Sequence, residues 1–388
     1  MISNNRNVSS NLIQSSVAGL ITAITLLITT SCGASQPSAS EMFFDASTSE
    51  LEASKLFLSH KTPALVGLDE ELLQNILSQY DEGTFGNLDS LIIIKDDEIV
   101  VERYFGEQTR DRLHPIHSVT KSVSSILIGI AIDKGLIEGV DIPLLEFFPE
   151  YSSVENMDAR KREITLQDVL TMRPGFSWND PGGDHSLAAM GQSRDMIEYM
   201  LNRPMAVQPG RVWKYNTGNS LLMSGILRNR TGNSAQQFAE EELFGPLGIT
   251  EYQWAEASEG LSNSGSGIQL KPLDMAKLGY LFLNNGQWQG EQIVSQDWID
   301  QSTHAFVYFT QYTSYGYQWW TISHQGVDGH TPTPNDIWYA VGAGGQYIFV
   351  IPLTNMVVVM TATNYGDQTP VKRQEDTLFL SILNAVLN

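Results

Sequence analysis

The chain reads as a mixed α/β protein of the α+β kind, one antiparallel sheet flanked by helices with a helical lobe inserted into it. Three observations predict this. β-rich runs stand at both ends of the folded part, Leu88 to Tyr104 and Tyr315 to Ala362, and helical patterns fill the stretch between them. There is no internal repeat. Strands from the two ends can therefore join one sheet, and the helices between them become an insertion.

The 388 residues suffice for one large domain or two lobes, and 42% hydrophobic content fits a globular chain. The net charge of −21 argues against nucleic acid, which needs clustered Lys and Arg, and against adsorption to anionic lipid. An acidic surface that keeps the protein soluble is the plain reading; adaptation to salt and attraction of cationic substrates are the alternatives.

The first 32 residues read as a lipoprotein signal peptide. Arg6 supplies a sparse positive start, and Val17 to Thr30 is uncharged and mostly apolar, which suits an export signal better than a membrane span. Leu27-Ile28-Thr29-Thr30-Ser31-Cys32 resembles a bacterial lipobox, with Thr29 where Leu is commoner, and it ends in the chain's single cysteine. Cys32 is the candidate lipidation site; an ordinary secretory peptide cleaved nearby is the alternative. The reading implies an exported periplasmic or cell-surface protein whose one membrane contact is the lipid anchor. Residues 33–66, rich in Ser, Ala and acidic side chains, read as a tether. The folded domain is then 67–388, with the helical lobe at roughly 136–300.

Within that domain, Leu72, Leu73, Ile76, Leu77 and Tyr80 recur at helical spacing after Asp69, a candidate N-cap. Leu88 to Ile94 and Ile99 to Tyr104 are joined by Lys95-Asp96-Asp97-Glu98, a hairpin pattern. Ser118 to Lys134 predicts a helix stopped by Gly135, and Thr165 to Met172 a short one capped by Thr165. Trp178 to His185 is a loop dense in Gly, Pro and Asp. Helical patterns follow at Asp195 to Asn202, Gly218 to Arg230, Ser234 to Phe244, Pro272 to Asn284 and Ser295 to Gln301. Strands are predicted at Tyr315 to Ile322, Trp338 to Val341, Gln346 to Ile351 and Met356 to Ala362, with a turn at Pro352 to Asn355 and a closing helix over 374–387.

Ser118-Val119-Thr120-Lys121 carries the chemistry. A serine at the first turn of a helix with a lysine three residues on puts hydroxyl and amine on one face. The helix start directs free N–H groups at that hydroxyl. A lysine serves as base only where burial or a nearby charge lowers its pKa, and the apolar run after Ser122 predicts burial. Tyr215, just before the helix at 218, offers a phenol that a nearby ammonium would favour as phenolate, a second proton carrier; a packed Tyr at a loop–helix corner is the plainer reading. Gly342-Ala343-Gly344-Gly345-Gln346 precedes a strand. Three glycines there predict close backbone approach to a ligand or a bulge, and a strand N–H paired with that of Ser118 would make an oxyanion hole.

These segments together resemble the serine β-lactamase/penicillin-binding superfamily in its class C-like branch, which includes carboxylesterases, DD-peptidases and 6-aminohexanoate-dimer hydrolases. The resemblance runs from about residue 70 to 385 and rests on SVTKS at 118–122, ITLQDVLTMRPGFSW at 164–178, PGRVWKYNTGNSLLMSGIL at 209–227, FGPLGI at 244–249, LKPLDMAKLGYLFLNNGQW at 270–288 and VGAGGQYIFVIP at 341–352. It implies a β-lactamase/transpeptidase-like fold of two lobes with the site between them, Ser118 as nucleophile, Lys121 as base and Tyr215 as second proton-transfer group. By the same match the Ala343 N–H is the second oxyanion donor beside that of Ser118, Gly342 and Gly344 line the site, and Asp180, Asp184 and His185 stand where members place substrate-contacting groups, although turn-capping Asp and an exposed His explain those three as well.

Two departures bear on the activity. The family's Tyr-x-Asn reads Tyr215-Asn216-Thr217, which leaves Asn216, one place early, as the candidate amide. The Lys-Thr-Gly triplet of β-lactamases is replaced by Ala340-Val341-Gly342, with no cation for a β-lactam carboxylate. The implied activity is therefore a serine hydrolase of the carboxylesterase or amidase type, acting on a small-molecule ester or amide. A DD-peptidase or weak β-lactamase, and a penicillin-binding or sensor module without turnover, are the alternatives. Trp319, Trp320 and Trp338 could line a pocket, with core packing the plainer role. The seven histidines have no paired ligand spacing, so no metal and no cofactor is expected.

Overall fold

The structure is a computed structural model that describes residues 42–44, 58–81, 86–178, 186–258, 260–323, 336–365 and 377–385. Cys32, Asp180, Asp184 and His185 lie outside the described residues.

The β-rich runs meet in one eight-stranded sheet. Its strands are β1 (Leu88–Lys95), β2 (Glu98–Tyr104), β3 (Val307–Tyr308), β4 (Thr313–Tyr315), β5 (Trp320–Ile322), β6 (Ile337–Gly342), β7 (Gln346–Ile351) and β8 (Met356–Ala362). The spatial order is β3-β4-β5-β6-β7-β8-β1-β2, and every pair is antiparallel. The two ends of the chain join where β8 pairs with β1, Ile92 opposite Val359. The β1–β2 turn is Asp96-Asp97, both at positive φ, the backbone of a two-residue hairpin that matches strand twist.

Both faces of the central strands are buried, by alternation. Ile92, Ile94, Val357 and Val359 face one core; Leu91, Ile93, Met356, Val358 and Met360 face the other. Against the first face pack α2 (Val119–Asp133) and α5 (Pro272–Leu283); against the second pack α1 (Glu70–Asp81) and α7 (377–385). Between the halves lie α3 (Leu166–Leu170), α4 (Thr217–Thr231) and shorter helices, and α6 (Gln296–Thr303) follows α5. Caps begin these elements as the sequence implies. Asp69 Oδ1 accepts from Leu72 N–H, and Thr165 with Asp168 forms a reciprocal capping box.

Two expectations are corrected. Tyr315 to Ile322 is not one strand but β4 and β5, joined by a reversal in which Gly316 N–H donates to Trp319 O at 2.8 Å and Gln318 has φ +62°. Nor is all of 33–66 a free tether. Phe43 is fully buried, and bridges Phe44–Glu102 and His60–Ile99 run parallel along β2. Burial of Phe43 favours this docking by about 1.5–3 kcal/mol, and the His60 Nε2–Glu102 Oε2 contact at 2.7 Å adds to it against the cost of ordering the segment.

Candidate active site

Ser118 sits at the N-terminus of α2, where helix, sheet and helical lobe meet. The preceding residue sets its position. His117 has φ +47°, a left-handed turn that lets Val119 N–H bond Ile116 O and Thr120 N–H bond His117 O. The Ser118 N–H is left without a hydrogen bond among the described residues, as at any helix start.

Lys121, one turn along, is 2% exposed, as its apolar neighbours imply. Its Nζ lies 3.2 Å from Ser118 Oγ and 2.5 Å from Gly265 O. It also stands 5.1 Å from the centre of the Tyr215 ring. The structure therefore brings Ser118, Lys121 and Tyr215 together. Gly265 is a group the sequence reading missed. Its loop is shaped by Asn263, whose Oδ1 accepts from Gly265 N–H and Ser266 N–H. Asn-Ser-Gly-Ser-Gly at 263–267 is a turn pattern that could have drawn attention.

The sheet reaches the site through the end of β6 and the turn Ala343-Gly344-Gly345. A Cβ on Gly342 would lie 2.3 Å from Ile116 O, so β6 abuts the backbone two residues before the serine. Gly344, at φ +84°, lies under the Tyr365 ring, where a Cβ would come within 2.6 Å of it. Gly342 and Gly344 thus permit close approach to the protein's own atoms. Ala343 is exposed, and its N–H has no hydrogen bond among the described residues. Gln346 holds the turn from behind, its Nε2 donating to Ala343 O at 3.2 Å.

Asn216 is corrected as a candidate substrate amide. It is 2% exposed, and its Oδ1 caps α4 by accepting from Gly218 N–H at 2.8 Å. Beside it is a cavity of about 180 Å³ lined by Met172, Phe176, Trp178, Val212, Lys214 and Asn216 among others. Of the candidate tryptophans, Trp319 stacks on Phe282 with centroids 4.0 Å apart and Trp338 is buried in the main core. Trp320 belongs to an aromatic cluster in which Trp213 is 6.1 Å from Tyr215 and 5.9 Å from Trp320. Burial, reinforced by the Tyr215 charge, pushes the Tyr315 phenol of this cluster well above its ordinary value.

Behind the site Gln318 ties three helices together. Its Nε2 donates to Leu170 O at 2.5 Å, its Oε1 accepts from Ser220 Oγ, and its carbonyl accepts from Ser122 Oγ at 2.7 Å.

The chain is similar to several known proteins. The family model described as Beta-lactamase matches residues 79–380. The chain is 21% identical over 292 residues to a 6-aminohexanoate-dimer hydrolase of Paenarthrobacter ureafaciens, covering 70% of this chain and 71% of the relative. It is 26% identical to a lovastatin esterase of Penicillium rubens, covering 46% of this chain and about half of the relative's length, 48%. Among solved structures, the octameric penicillin-binding protein homologue of Pyrococcus abyssi superimposes with a TM-score of 0.60 at 18% identity, over 81% of this chain and 77% of that one.

Proposed function

Because the chain belongs to the Beta-lactamase family, we propose that it is a serine hydrolase that cleaves an ester or amide through an acyl-enzyme on Ser118. The observation that carries this reading is the contact of the buried Lys121 Nζ with Ser118 Oγ at 3.2 Å. Burial disfavours the charged ammonium and so favours an amine able to accept the serine proton.

In the proposed sequence Ser118 Oγ attacks the carbonyl carbon while its proton passes to Lys121 Nζ. The carbonyl oxygen becomes an oxyanion held by the N–H groups of Ser118 and Ala343. The C–O or C–N bond then breaks, and the leaving alcohol or amine takes a proton through Tyr215, whose ring faces the amine. Water, deprotonated by the same groups, adds to the acyl carbon and frees the acid and Ser118. The absence of a cation at 340–342 supports esters or amides without the carboxylate of a β-lactam.

The test is intact-mass spectrometry with a small p-nitrophenyl ester and, separately, penicillin. A transient acyl adduct that needs Ser118, with Ser118→Ala slower by several orders of magnitude, is the expected result. Activity within a few-fold of wild type in Ser118→Ala overturns the reading. A persistent penicillin adduct moves the proposal to a cell-wall peptidase or sensor.

A further inference from the structure

An oxyanion hole works only if its two donors converge on one oxygen at about 2.7–3.1 Å, and here the candidate donors belong to separate elements. The Ser118 N–H starts α2, and the Ala343 N–H lies in the β6–β7 turn. Two contacts span the gap. One is the close approach of Gly342 to Ile116 O. The other runs through side chains. His117 Nε2 lies 2.8 Å from Tyr365 Oη, with the rings edge to face at 5.6 Å. Tyr365 in turn covers Gly344, and the neighbouring Asn364 N–H donates to Gly344 O at 3.0 Å.

We propose that His117 and Tyr365 form a clasp that sets the spacing between the Ser118 and Ala343 N–H groups. They are positioning residues, and the inference rests on the serine hydrolase reading above. Three features support it. His117 occupies a left-handed conformation at the one peptide that leads into the serine, so its side chain and the Ser118 N–H are coupled through a constrained backbone. Tyr365 is 56% exposed, too open for a core role, and an exposed hydrogen bond of this kind adds little to stability. Its ring lies against the glycine that follows Ala343, so any shift of Tyr365 is passed to the second donor. Burial holds His117 below its ordinary pKa, which favours the neutral ring.

The experiment is steady-state kinetics of the full chain on a p-nitrophenyl ester, with Tyr365→Phe, His117→Asn, their double variant and Ser118→Ala. Tyr365→Phe keeps the ring over Gly344 and deletes the hydrogen bond. His117→Asn tolerates the left-handed backbone but has a shorter side chain. Each single variant is expected to lower kcat about tenfold with KM within about twofold, because small misplacement of reacting groups costs rate rather than binding. The double variant is expected to be no worse than either single, as befits two halves of one contact. A Tyr365→Phe enzyme with wild-type kcat beside an inactive Ser118→Ala overturns the clasp and leaves the serine reading standing. Raised KM with unchanged kcat also overturns it, since the pair would then be touching substrate. An active Ser118→Ala removes both. If His117→Asn does not fold, Tyr365→Phe decides alone.

Discussion

At the residue scale the candidate chemistry depends on what surrounds a buried amine. Lys121 is enclosed by a serine hydroxyl, a backbone carbonyl and the face of a phenol ring. Lys121→Ala removes the proposed base and is expected to lower kcat/KM by about three orders of magnitude or more, whereas Tyr215→Phe, which keeps the ring and deletes the proton carrier, is expected to cost about 10²–10⁴-fold, mostly in kcat. Pre-steady-state release of p-nitrophenol separates the two, because p-nitrophenolate leaves without a proton, so with this ester the Tyr215 defect falls on deacylation and the first turnover stays fast. Ser118, Lys121 and Tyr215 were legible because each carries a local pattern, a helix start or a loop–helix corner. Gly265 and Tyr365 were not. Their relation to the serine arises from contacts across 144 and 248 residues of chain, and nothing local in either segment encodes the partner.

At the scale of elements, the interface behind the site hangs on Gln318, which is 2% exposed and joins the segments carrying Leu170, Ser220 and Ser122. Gln318→Leu leaves a buried carbonyl and hydroxyl without these partners and is expected to destabilise the fold by about 2–4 kcal/mol, read as a fall in the urea midpoint at unchanged slope. An unchanged midpoint refutes that role. This residue also explains where strand reading failed. Six of the eight residues at 315–322 are Tyr, Trp, Thr or Ile, which favour strands, and the reversal between β4 and β5 places a glutamine, not Asn, Asp or Gly, at positive φ. Tertiary hydrogen bonds hold that conformation. Elements whose ends are local chemistry, such as α3 with its capping box or the Asp96-Asp97 hairpin, matched their expected positions closely.

At the scale of the whole molecule, the antiparallel sheet and inserted helices were legible because β-rich runs stand at both ends of the domain, whereas the docking of the segment before it was hidden in a few residues. That docking is locked by Glu102, which is 1% exposed, bonded to Tyr104 and His60, and gripped by two nitrogens of Arg110 at 2.6 Å each. Burial raises the Glu102 pKa, but hydrogen bonds from His60, Arg110 and Tyr104 outweigh it and leave it below the ordinary value. A depressed carboxyl binds its proton more weakly folded than unfolded. Its stabilisation is therefore complete above the ordinary value of about 4.3 and is lost as the pH falls through the folded value. Glu102→Gln is expected to destabilise by about 3–5 kcal/mol at neutral pH, with the gap to wild type narrowing below about pH 4 in denaturation series. A gap independent of pH refutes the linkage. The strand that carries Glu102 is the last in the sheet, and residues 58–61 occupy its free side, with Ile99 N–H donating to Ser59 O and Lys61 N–H to Ile99 O. At the opposite border stands β3, only two residues long. A sheet finished in this way offers little template for strand exchange between molecules. Residues 58–61 thus cover backbone of β2 that would otherwise be a free edge, and a chain beginning at residue 62 is expected to scatter more light than the longer chain at equal concentration; equal scattering refutes this.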